Sequence, residues 1–426
     1  MCRSCGPWRE SVHHPACMPA PTVLLCMGTR PEIIKMAPVY HALADSPLRP
    51  VVLHTGQHSD IAWPLYEFFG MAPDVELDLT RERPSLGHLN ARLLDAVDGV
   101  ISEVGAEAVL VHGDTSSALA AAMASFYAGT PVGHVEAGLR SGNPMDPFPE
   151  EMNRTVIAKL ARWHFAPTRR AVGHLVREGC APGAISLTGN TVVDAVRDAL
   201  ARTPERVGPR EAEGGRTVLV TMHRRENWGR PIEEVARAVG EAVRAHPDLR
   251  VVWPMHPNPD VRAAVRRGLG AADLGPAVAR VELSEPLDYA PMLHALRDAW
   301  LVLTDSGGIQ EEAAALDRPV LVLRRTTERP ELIEAGGGAL VGTDHATVLS
   351  WLTGLATDPV AYGALRCPTN PYGDGRAGER VAAVLAEALA HRAEAVAPSR
   401  PEPLPAAPPA RLVVSRLPSV RPFATA

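Results

Sequence analysis

A short apolar stretch that runs into a polar, glycine-containing turn and then into helical spacing recurs through this chain. The sharpest instance is Leu301–Glu312, with the sequence LVLTDSGGIQEE. Leu301–Thr304 is typical of a short buried strand. Ile309, Ala313 and Leu316 then share one face of a predicted helix. Repeated alternation of this kind predicts parallel sheets with helices packed on both faces.

The turn of Leu301–Glu312 offers a place for an anionic ligand. Gly307 and Gly308 carry no Cβ atoms that would keep a ligand away from the backbone. Unpaired N–H groups and the positive end of a helix dipole also favour an anion there. Glu311 and Glu312, which we expect in the first helical turn, can accept hydrogen bonds from sugar hydroxyls. An ordinary strand–helix turn explains the same spacing, so both interpretations stay open at this point.

Length and charge limit the class of protein. At 426 residues the chain can form two or three domains of about 100–200 residues each. The net charge of −6, from 43 basic and 49 acidic residues, predicts binding neither to nucleic acid nor to an anionic membrane. The chain contains no apolar run of the roughly 18 residues that span a bilayer. Scattered cysteines favour a reduced, cytoplasmic protein.

We expect no metal site. Cys2 and Cys5 lack a second cysteine pair at metal-binding spacing. His54 and His58 are four residues apart, but a glycine lies between them and no third ligand is evident.

Two cations lie at the first strand–helix junction. Residues 22–28 are typical of a buried strand, and Pro31 suits the first position of the helix that follows. Arg30 can bind phosphate oxygens through its guanidinium fork, and Lys35 adds a point charge. Two solvated surface charges would explain the residues too, but their place beside a strand–glycine–helix junction favours an anion site.

Three carboxylates follow elements of the first half at what we predict to be one edge of the sheet. Asp114 ends a predicted strand at 108–114, Glu136 follows the next strand, and Glu150 opens a helix after a proline-rich loop. Ligands bind at this edge in open α/β folds, and converging carboxylates without a metal motif indicate acid–base chemistry. Structural explanations also exist, because Asp114 can cap the next helix and Glu150 can pair with Arg154.

The second half repeats the alternation after a polar stretch at 203–215 that we interpret as a linker. His223 ends a strand and precedes Arg224 and Arg225, which favours an anion site. A lone histidine at a strand end is nevertheless more often structural. His256 follows another strand in a similar position.

These patterns predict an α/β protein with two doubly wound, Rossmann-like domains that face a central cleft. We expect a disordered N-terminal extension at 1–20, a first domain at 21–190 and a second, nucleotide-binding domain at 191–375. A C-terminal helix at 376–392 should pack back on the first domain. The Pro- and Ala-rich segment 397–426 cannot bury enough surface to offset chain entropy, so we expect it to be disordered.

Several stretches, taken together and in order, resemble the non-hydrolysing UDP-N-acetylglucosamine 2-epimerases, which have the two-domain architecture of B-type glycosyltransferases. The resemblance covers about residues 22–392, and the motifs are long and collinear. The matching stretches are GTRPE (Gly28–Glu32), VHGDT (Val111–Thr115), PVGHVEAGLR (Pro131–Arg140), PEEMNRT (Pro149–Thr155), TGNT (Thr188–Thr191), HRRE (His223–Glu226), TDSGGIQEE (Thr304–Glu312) and TTERPE (Thr326–Glu331).

The resemblance implies reversible conversion of UDP-GlcNAc to UDP-ManNAc at sugar carbon 2, without a cofactor. In this family the reaction runs by anti elimination of UDP to 2-acetamidoglucal and re-addition, and it supplies ManNAc units for cell-surface polysaccharide. A homodimer is also implied. The implied catalytic residues are Asp114, Glu136, Glu150 and His223. The implied substrate-binding residues are Arg30, Lys35, Arg154, Ser306, Gly307, Gly308, Glu312 (on the ribose) and Arg329. A second, activating UDP-GlcNAc is implied at Gln57, His58 and His256.

Some residues depart from the family pattern, and alternatives remain. Met222 precedes His223 where the family often has Gly or Thr. Leu287 and Met292 fall where the family contacts uridine, and some members have an aromatic residue at the position of Met292. A B-type glycosyltransferase with a UDP-sugar donor is one alternative, although it would not need three carboxylates in the first half. A hydrolysing epimerase and an inactive sugar-nucleotide sensor are two more. An epimerase of a related UDP-diacetamido sugar stays open, because the sugar pocket cannot be read from the sequence.

Overall fold

The strands form two parallel sheets, one in each half of the chain. The computed structural model describes residues 20–56, 59–78, 85–205 and 215–394. The first sheet contains β1 (Thr22–Met27), β2 (Arg49–His54), β3 (Val75–Glu76), β4 (Ala108–His112), β5 (Val132–Val135), β6 (Trp163–Ala166) and β7 (Ile185–Leu187). The second contains β8 (Arg216–Thr221), β9 (Leu249–Pro254), β10 (Val281–Ser284), β11 (Leu301–Thr304), β12 (Val320–Val322) and β13 (Gly338–Leu340).

Both sheets have the doubly wound strand order. The orders are β3-β2-β1-β4-β5-β6-β7 and β10-β9-β8-β11-β12-β13. Each order reverses beside one pair of strands, β1 with β4 and β8 with β11, and ligand crevices in such folds lie outside the carboxyl ends of those strands. The predicted pair of Rossmann-like α/β domains is therefore confirmed.

The helices join the strands and cover the sheets. They are α1 (Arg30–Ala44), α2 (Ser59–Phe69), α3 (Leu86–Val104), α4 (Ser116–Tyr127), α5 (Glu150–Leu160), α6 (Arg169–Arg177), α7 (Thr191–Arg202), α8 (Arg230–Ala245), α9 (Pro259–Ala271), α10 (Tyr289–Asp298), α11 (Gly307–Ala315), α12 (Pro330–Glu334), α13 (His345–Thr357), α14 (Pro359–Ala364) and α15 (Ala377–Glu394). Short 3-10 turns lie at Pro182–Ala184, Arg225–Asn227 and Gly275–Arg280. Among these helices, none combines the length and apolarity needed to cross a membrane.

The chain passes between the two halves at two places that lie side by side. The backbone N–H of Asn190 donates to the carbonyl oxygen of Tyr372 at 2.7 Å. Gly189 has a φ of +87°, and a Cβ there would lie 3.2 Å from the same oxygen. Helix α15 then packs on α1, since a Cβ at Gly378 would lie 2.6 Å from the carbonyl oxygen of Pro38.

Three local expectations were wrong. The strand predicted at 108–114 ends at His112, because Gly113 has a φ of +66° and leaves the strand. Thr115, and not Asp114, caps α4, and its side-chain oxygen accepts from the backbone N–H of Ala118. Glu311 and Glu312 lie beyond the first turn of α11, because that helix already begins at Gly307.

Several predicted segments lie outside the described residues. They are the N-terminal extension except for residue 20, most of the linker, the tail at 397–426, and Gln57 and His58.

Candidate active site

A cavity of about 420 Å³ lies between the two halves, at the carboxyl ends of β1, β8, β9 and β11. Its charged and polar walls come from Arg30, Lys35, Thr221, His223, His256, Ser306 and Glu312, with Gly308 beside them. Ile34, Leu287, Met292 and Ile309 are among its apolar walls. A larger groove of about 1230 Å³, lined by Thr168, Arg177 and Asn370 among others, contains none of the predicted site residues.

The turn that carries Arg30 is fixed by a buried carboxylate. Oε2 of Glu32 accepts from the backbone N–H groups of Gly28 (2.9 Å) and Thr29 (2.8 Å). Its Oε1 accepts from the hydroxyl of Thr115 at 2.6 Å. Glu32 thereby links the β1–α1 turn to the start of α4, and Arg30 begins its helix from a rigid base.

Glu312 faces the cavity opposite Arg30. Its side chain is buried in α11, and burial raises its pKa to about 7, while the charges of Arg30 and Lys35 work in the other direction. A carboxyl group with this pKa carries its proton over part of the neutral range, so its ability to accept hydrogen bonds depends on pH.

The N-terminus of α11 is open to a ligand. Ser306 caps the helix, with its Oγ accepting from the backbone N–H of Ile309. A Cβ at Gly307 would meet no atom within 4 Å. Unpaired helix N–H groups therefore border free space, which is the arrangement that binds phosphate.

His223 is held by a buried aspartate on the neighbouring strand end. Asp305 has no exposed surface and accepts from the backbone N–H groups of His223 (3.1 Å) and Arg224 (3.1 Å) and from Nδ2 of Asn227 (2.9 Å). Nδ1 of His223 lies 3.1 Å from Oδ1 of Asp305. Burial would raise the pKa of Asp305, but its contacts with His223 and Asn227 hold it below the usual range. This leaves Nε2 of the half-exposed imidazole available to a ligand in the cavity.

Next to the cavity, four side chains form what we call the charge ring: the buried Lys35, Glu136 and Glu311, and the partly buried Arg329. Nζ of Lys35 lies 2.7 Å from Oε2 of Glu136 and 2.7 Å from Oε2 of Glu311. The guanidinium of Arg329 lies 3.2 Å from Oε1 of Glu136 and also pairs with Oε1 of Glu311. Positive and negative groups therefore alternate around the ring, and each cation touches both carboxylates.

Glu136 is the most constrained member of the ring. It follows β5 with a φ of +64°, in a region that costs backbone energy for a residue with a side chain. Nε2 of His112, at the end of β4, lies 2.7 Å from its Oε2. Burial would raise the pKa of Glu136, but Lys35, His112 and Arg329 outweigh burial and hold the pKa well below its usual range. Burial would likewise lower the pKa of Lys35, yet Glu136 and Glu311 raise it, so both groups stay charged.

The other two predicted carboxylates lie apart from the ring. Oδ2 of Asp114 pairs with the guanidinium of Arg154 at 2.5 Å, and the Asp114 carbonyl accepts from Nδ2 of Asn153 at 2.7 Å. The suggested pairing of Glu150 with Arg154 was wrong, because Arg154 turns to Asp114 and lies 3.4 Å from Glu151. No ion pair or hydrogen bond joins Glu150 to another described side chain.

The predicted residues thus fall into groups. Those that line the cavity are Arg30, Lys35, His223, His256, Ser306, Gly308 and Glu312. Those that do not are Asp114, Glu136, Glu150, Arg154, Gly307 and Arg329. Within the described part of the chain, no set of three or more His, Cys, Asp or Glu side chains is placed to hold a metal ion.

Three residues that contact the predicted site residues or fix their turns were not predicted from the sequence: Glu32, His112 and Asp305. Each lies inside a stretch already noted, namely GTRPE, VHGDT or TDSGGIQEE. The position of His112 and Asp305 at strand ends was visible, and the argument that selected Asp114 and His223 would have selected them as well. Glu32 lies in the first turn of α1, where the spacing of Thr29 and Glu32 is that of a capping box.

Comparison with known proteins assigns the family. The model of the UDP-N-acetylglucosamine 2-epimerase family matches residues 41–386. The UDP-N-acetylglucosamine 2-epimerase of Escherichia coli strain K12 is 43% identical over 373 residues, which are 85% of this chain and 98% of that enzyme. The chain belongs to the UDP-N-acetylglucosamine 2-epimerase family. The family predicted from the motifs is confirmed, and the protein is an enzyme of the isomerase class.

Solved structures agree with this epimerase assignment. The UDP-GlcNAc 2-epimerase of Neisseria meningitidis, crystallised with UDP-GlcNAc, has a TM-score of 0.78 at 37% identity, covering 86% of this chain and 100% of that one. The glycotransferase of kitacinnamycin has a TM-score of 0.58 at 14% identity, covering 87% and 99%, and shares the fold alone. The B-type glycosyltransferase-like architecture is therefore confirmed as well.

Proposed function

We propose that this epimerase-family enzyme interconverts UDP-GlcNAc and UDP-ManNAc by anti elimination and re-addition of UDP. One observation carries the proposal: Lys35 lines the cavity and also lies 2.7 Å from the buried carboxylate of Glu136. A single cation thereby borders both the place for a diphosphate and the carboxylate that we propose for proton transfer. The crystallised Neisseria relative is described with UDP-GlcNAc bound, which is the same class of ligand.

The nucleotide half of the substrate fits the cavity walls. Arg30, Lys35 and His223 would hold the diphosphate, together with the hydroxyl of Ser306 and the N–H groups at Gly307 and Gly308. Glu312 would accept from ribose hydroxyls. Arg329 does not line the cavity, and we assign it to the substrate site through its contact with Glu136.

Elimination breaks two bonds and forms one π bond. A base removes the proton from carbon 2, the electron pair of that C–H bond becomes the C1–C2 double bond, and the C1–O electron pair leaves with UDP. Because no carbonyl acidifies the carbon 2 proton, departure of UDP must supply much of the driving force, and cations on the diphosphate stabilise it. Re-addition of UDP with protonation of the opposite face gives the epimer.

Two carboxylates on opposite faces of the sugar suit this chemistry. We propose Glu136 and Asp114 as the acid–base pair, with Glu150 as a third candidate and Arg154 as the partner of Asp114. No metal or organic cofactor has a step in this scheme.

We further propose properties that follow from the family rather than from the site. The enzyme would act in the cytoplasm as a homodimer, supply ManNAc units for cell-surface polysaccharide, and bind a second UDP-GlcNAc near Gln57, His58 and His256. His256 lines the cavity, and its Nδ1 accepts from the backbone N–H of Asn258 at 3.1 Å. We retain 21–190 and 191–375 as proposed domain limits.

Incubation of the purified enzyme with UDP-GlcNAc alone, followed by proton NMR, tests the proposal. The expected result is a mixture of UDP-GlcNAc and UDP-ManNAc with no acceptor present. Turnover only after addition of a sugar acceptor would indicate a glycosyltransferase. Accumulation of free ManNAc and UDP would indicate a hydrolysing epimerase.

A further inference from the structure

The charge ring is built from both halves of the molecule. Lys35 and Glu136 belong to the first half, while Glu311 and Arg329 belong to the second. Two of its four contacts cross between the halves, Lys35 with Glu311 and Arg329 with Glu136. If the halves separate, those two contacts break and each half keeps one cation and one carboxylate. The complete ring therefore exists only when the halves are closed.

Glu311 is a ring member whose ion pairs lie within the ring. Its side chain is fully buried, and it does not line the cavity, whereas the next residue, Glu312, does. Its Oε2 lies against Lys35 and its Oε1 against Arg329. Both of these cations also contact Glu136, so Glu311 touches the proposed catalytic carboxylate only through them.

We infer that Glu311 is a positioning residue, which holds Lys35 and Arg329 against Glu136 when the two halves close around the substrate. The inference rests on the proposed role of Glu136 in proton transfer. Without Glu311, Lys35 and Arg329 share one carboxylate, and the second half no longer fixes the position of Lys35. A buried charge that loses a partner is costly, so Lys35 and Arg329 no longer keep a fixed position against Glu136.

Glu311→Gln, compared with Glu331→Gln, tests this inference. Glu331 also joins the halves, since its Oε1 accepts from the hydroxyl of Thr168 at 2.7 Å, but it lies outside the ring. For Glu311→Gln we expect kcat to fall by about tenfold or more, with the Kd for UDP within about threefold of wild type, because the nucleotide cavity keeps its walls. For Glu331→Gln we expect both values to stay within about twofold.

Two outcomes overturn the inference. One is a kcat for Glu311→Gln within about twofold of wild type. The other is an equal loss of kcat in both variants, which would assign the effect to any contact that joins the halves. Epimerisation rates from NMR and UDP titration by calorimetry supply both values.

A double variant keeps the test decisive if Glu311→Gln does not fold. Glu311→Gln with Arg329→Gln restores the charge balance of the ring. If the two residues act as a unit, the double variant loses no more kcat than Arg329→Gln alone. A kcat for the double variant that is clearly below that of Arg329→Gln contradicts the inference.

Glu136→Gln separates this inference from the proposed function. If Glu136→Gln keeps wild-type turnover, the proposed role of Glu136 fails, and the ring then positions no catalytic residue. If Glu136→Gln is inactive while Glu311→Gln behaves like Glu331→Gln, the positioning role alone fails.

Discussion

The cavity and the charge ring lie side by side and share Lys35, but they differ in whether their charged groups are already paired with other side chains. In the cavity, Arg30 and His223 border free space, and beside it a Cβ added at Gly307, in the first turn of α11, would meet no atom within 4 Å. In the ring, both oxygens of Glu136 and of Glu311 are occupied by cations. Polar groups that border free space can bind a ligand. Charged groups that are already paired can instead hold a reactive side chain in one position.

Helix α11 shows how one element serves both regions. Consecutive side chains point about 100° apart around a helix, so Glu311 can face the ring while Glu312 faces the cavity. The comparison predicts that ring variants lose turnover and keep nucleotide affinity, while cavity variants lose affinity or leaving-group stabilisation.

The largest effect should come from Glu136, the ring carboxylate that we propose for proton transfer. Glu136→Gln keeps the shape of the side chain but removes its capacity to take a proton. We expect turnover to fall by about 10²–10⁴-fold, as for loss of a general base, with the Kd for UDP near wild type. Asp114→Asn should behave similarly. Wild-type rates in either variant, measured by NMR of the sugar nucleotide, would remove that residue from the acid–base pair.

A nearly equal effect should come from the cavity side. His223→Ala removes the imidazole that contacts Asp305 and that we propose to bind the diphosphate. We expect kcat to fall by about 10²–10³-fold, as for loss of a donor to a developing oxyanion. Asn227→Ala is a useful companion, because it removes a donor to Asp305 at 2.9 Å and leaves His223 in place. Full activity in His223→Ala would show that another group stabilises UDP as it leaves.

A smaller effect should come from the titration of Glu312, the carboxyl group that lines the cavity. Burial raises the pKa of Glu312 to about 7, so its carboxylate, the better acceptor for ribose hydroxyls, forms mainly above that pH. In an inactive Glu136→Gln background, we expect the Kd for UDP-GlcNAc to fall about two- to fivefold between about pH 6 and pH 8. Adding Glu312→Gln should flatten this dependence. A slope that survives Glu312→Gln would assign the titration to a different group.

The raised pKa of Glu312 should make folding stability change with pH in the direction opposite to ligand affinity. The folded value of about 7 lies above the ordinary value of 4.5, so the folded state binds more protons between them. The contribution of Glu312 to stability is therefore fully present below about pH 4.5 and is lost as pH rises through about 7. Thermal melts of wild type and Glu312→Gln across this range measure the difference.

The smallest effects should come from features outside both regions. We expect turnover within about twofold of wild type after removal of residues 397–426, and after treatment with a chelator. Loss of rate with EDTA that added metal restores would contradict the metal-free scheme.

Much of the fold could be predicted from the sequence, because strand and helix periods alternate clearly and turn residues separate them. Strand β3 escaped prediction since two residues give no period. The cap of α4 was misassigned because Asp114 and Thr115 are both good capping residues and only the turn at Gly113 decides between them.

The site was harder to predict, because its contacts join residues distant in the chain. Arg30, Lys35, His223 and Glu312 were found from strand ends and motifs, and they do line one cavity. The charge ring was not predicted, since Glu136 and Arg329 are 193 residues apart and no local pattern shows that they meet. The pairing of Arg154 with Asp114 is likewise a tertiary contact across 40 residues.

The most direct test is proton NMR of the sugar nucleotide during turnover in heavy water. If a side-chain base removes the carbon 2 proton and protonation from solvent-exchanged groups follows, the UDP-ManNAc formed carries deuterium at carbon 2, and UDP-GlcNAc gains it as equilibrium is reached. Product that keeps its original protium at carbon 2 would contradict the account.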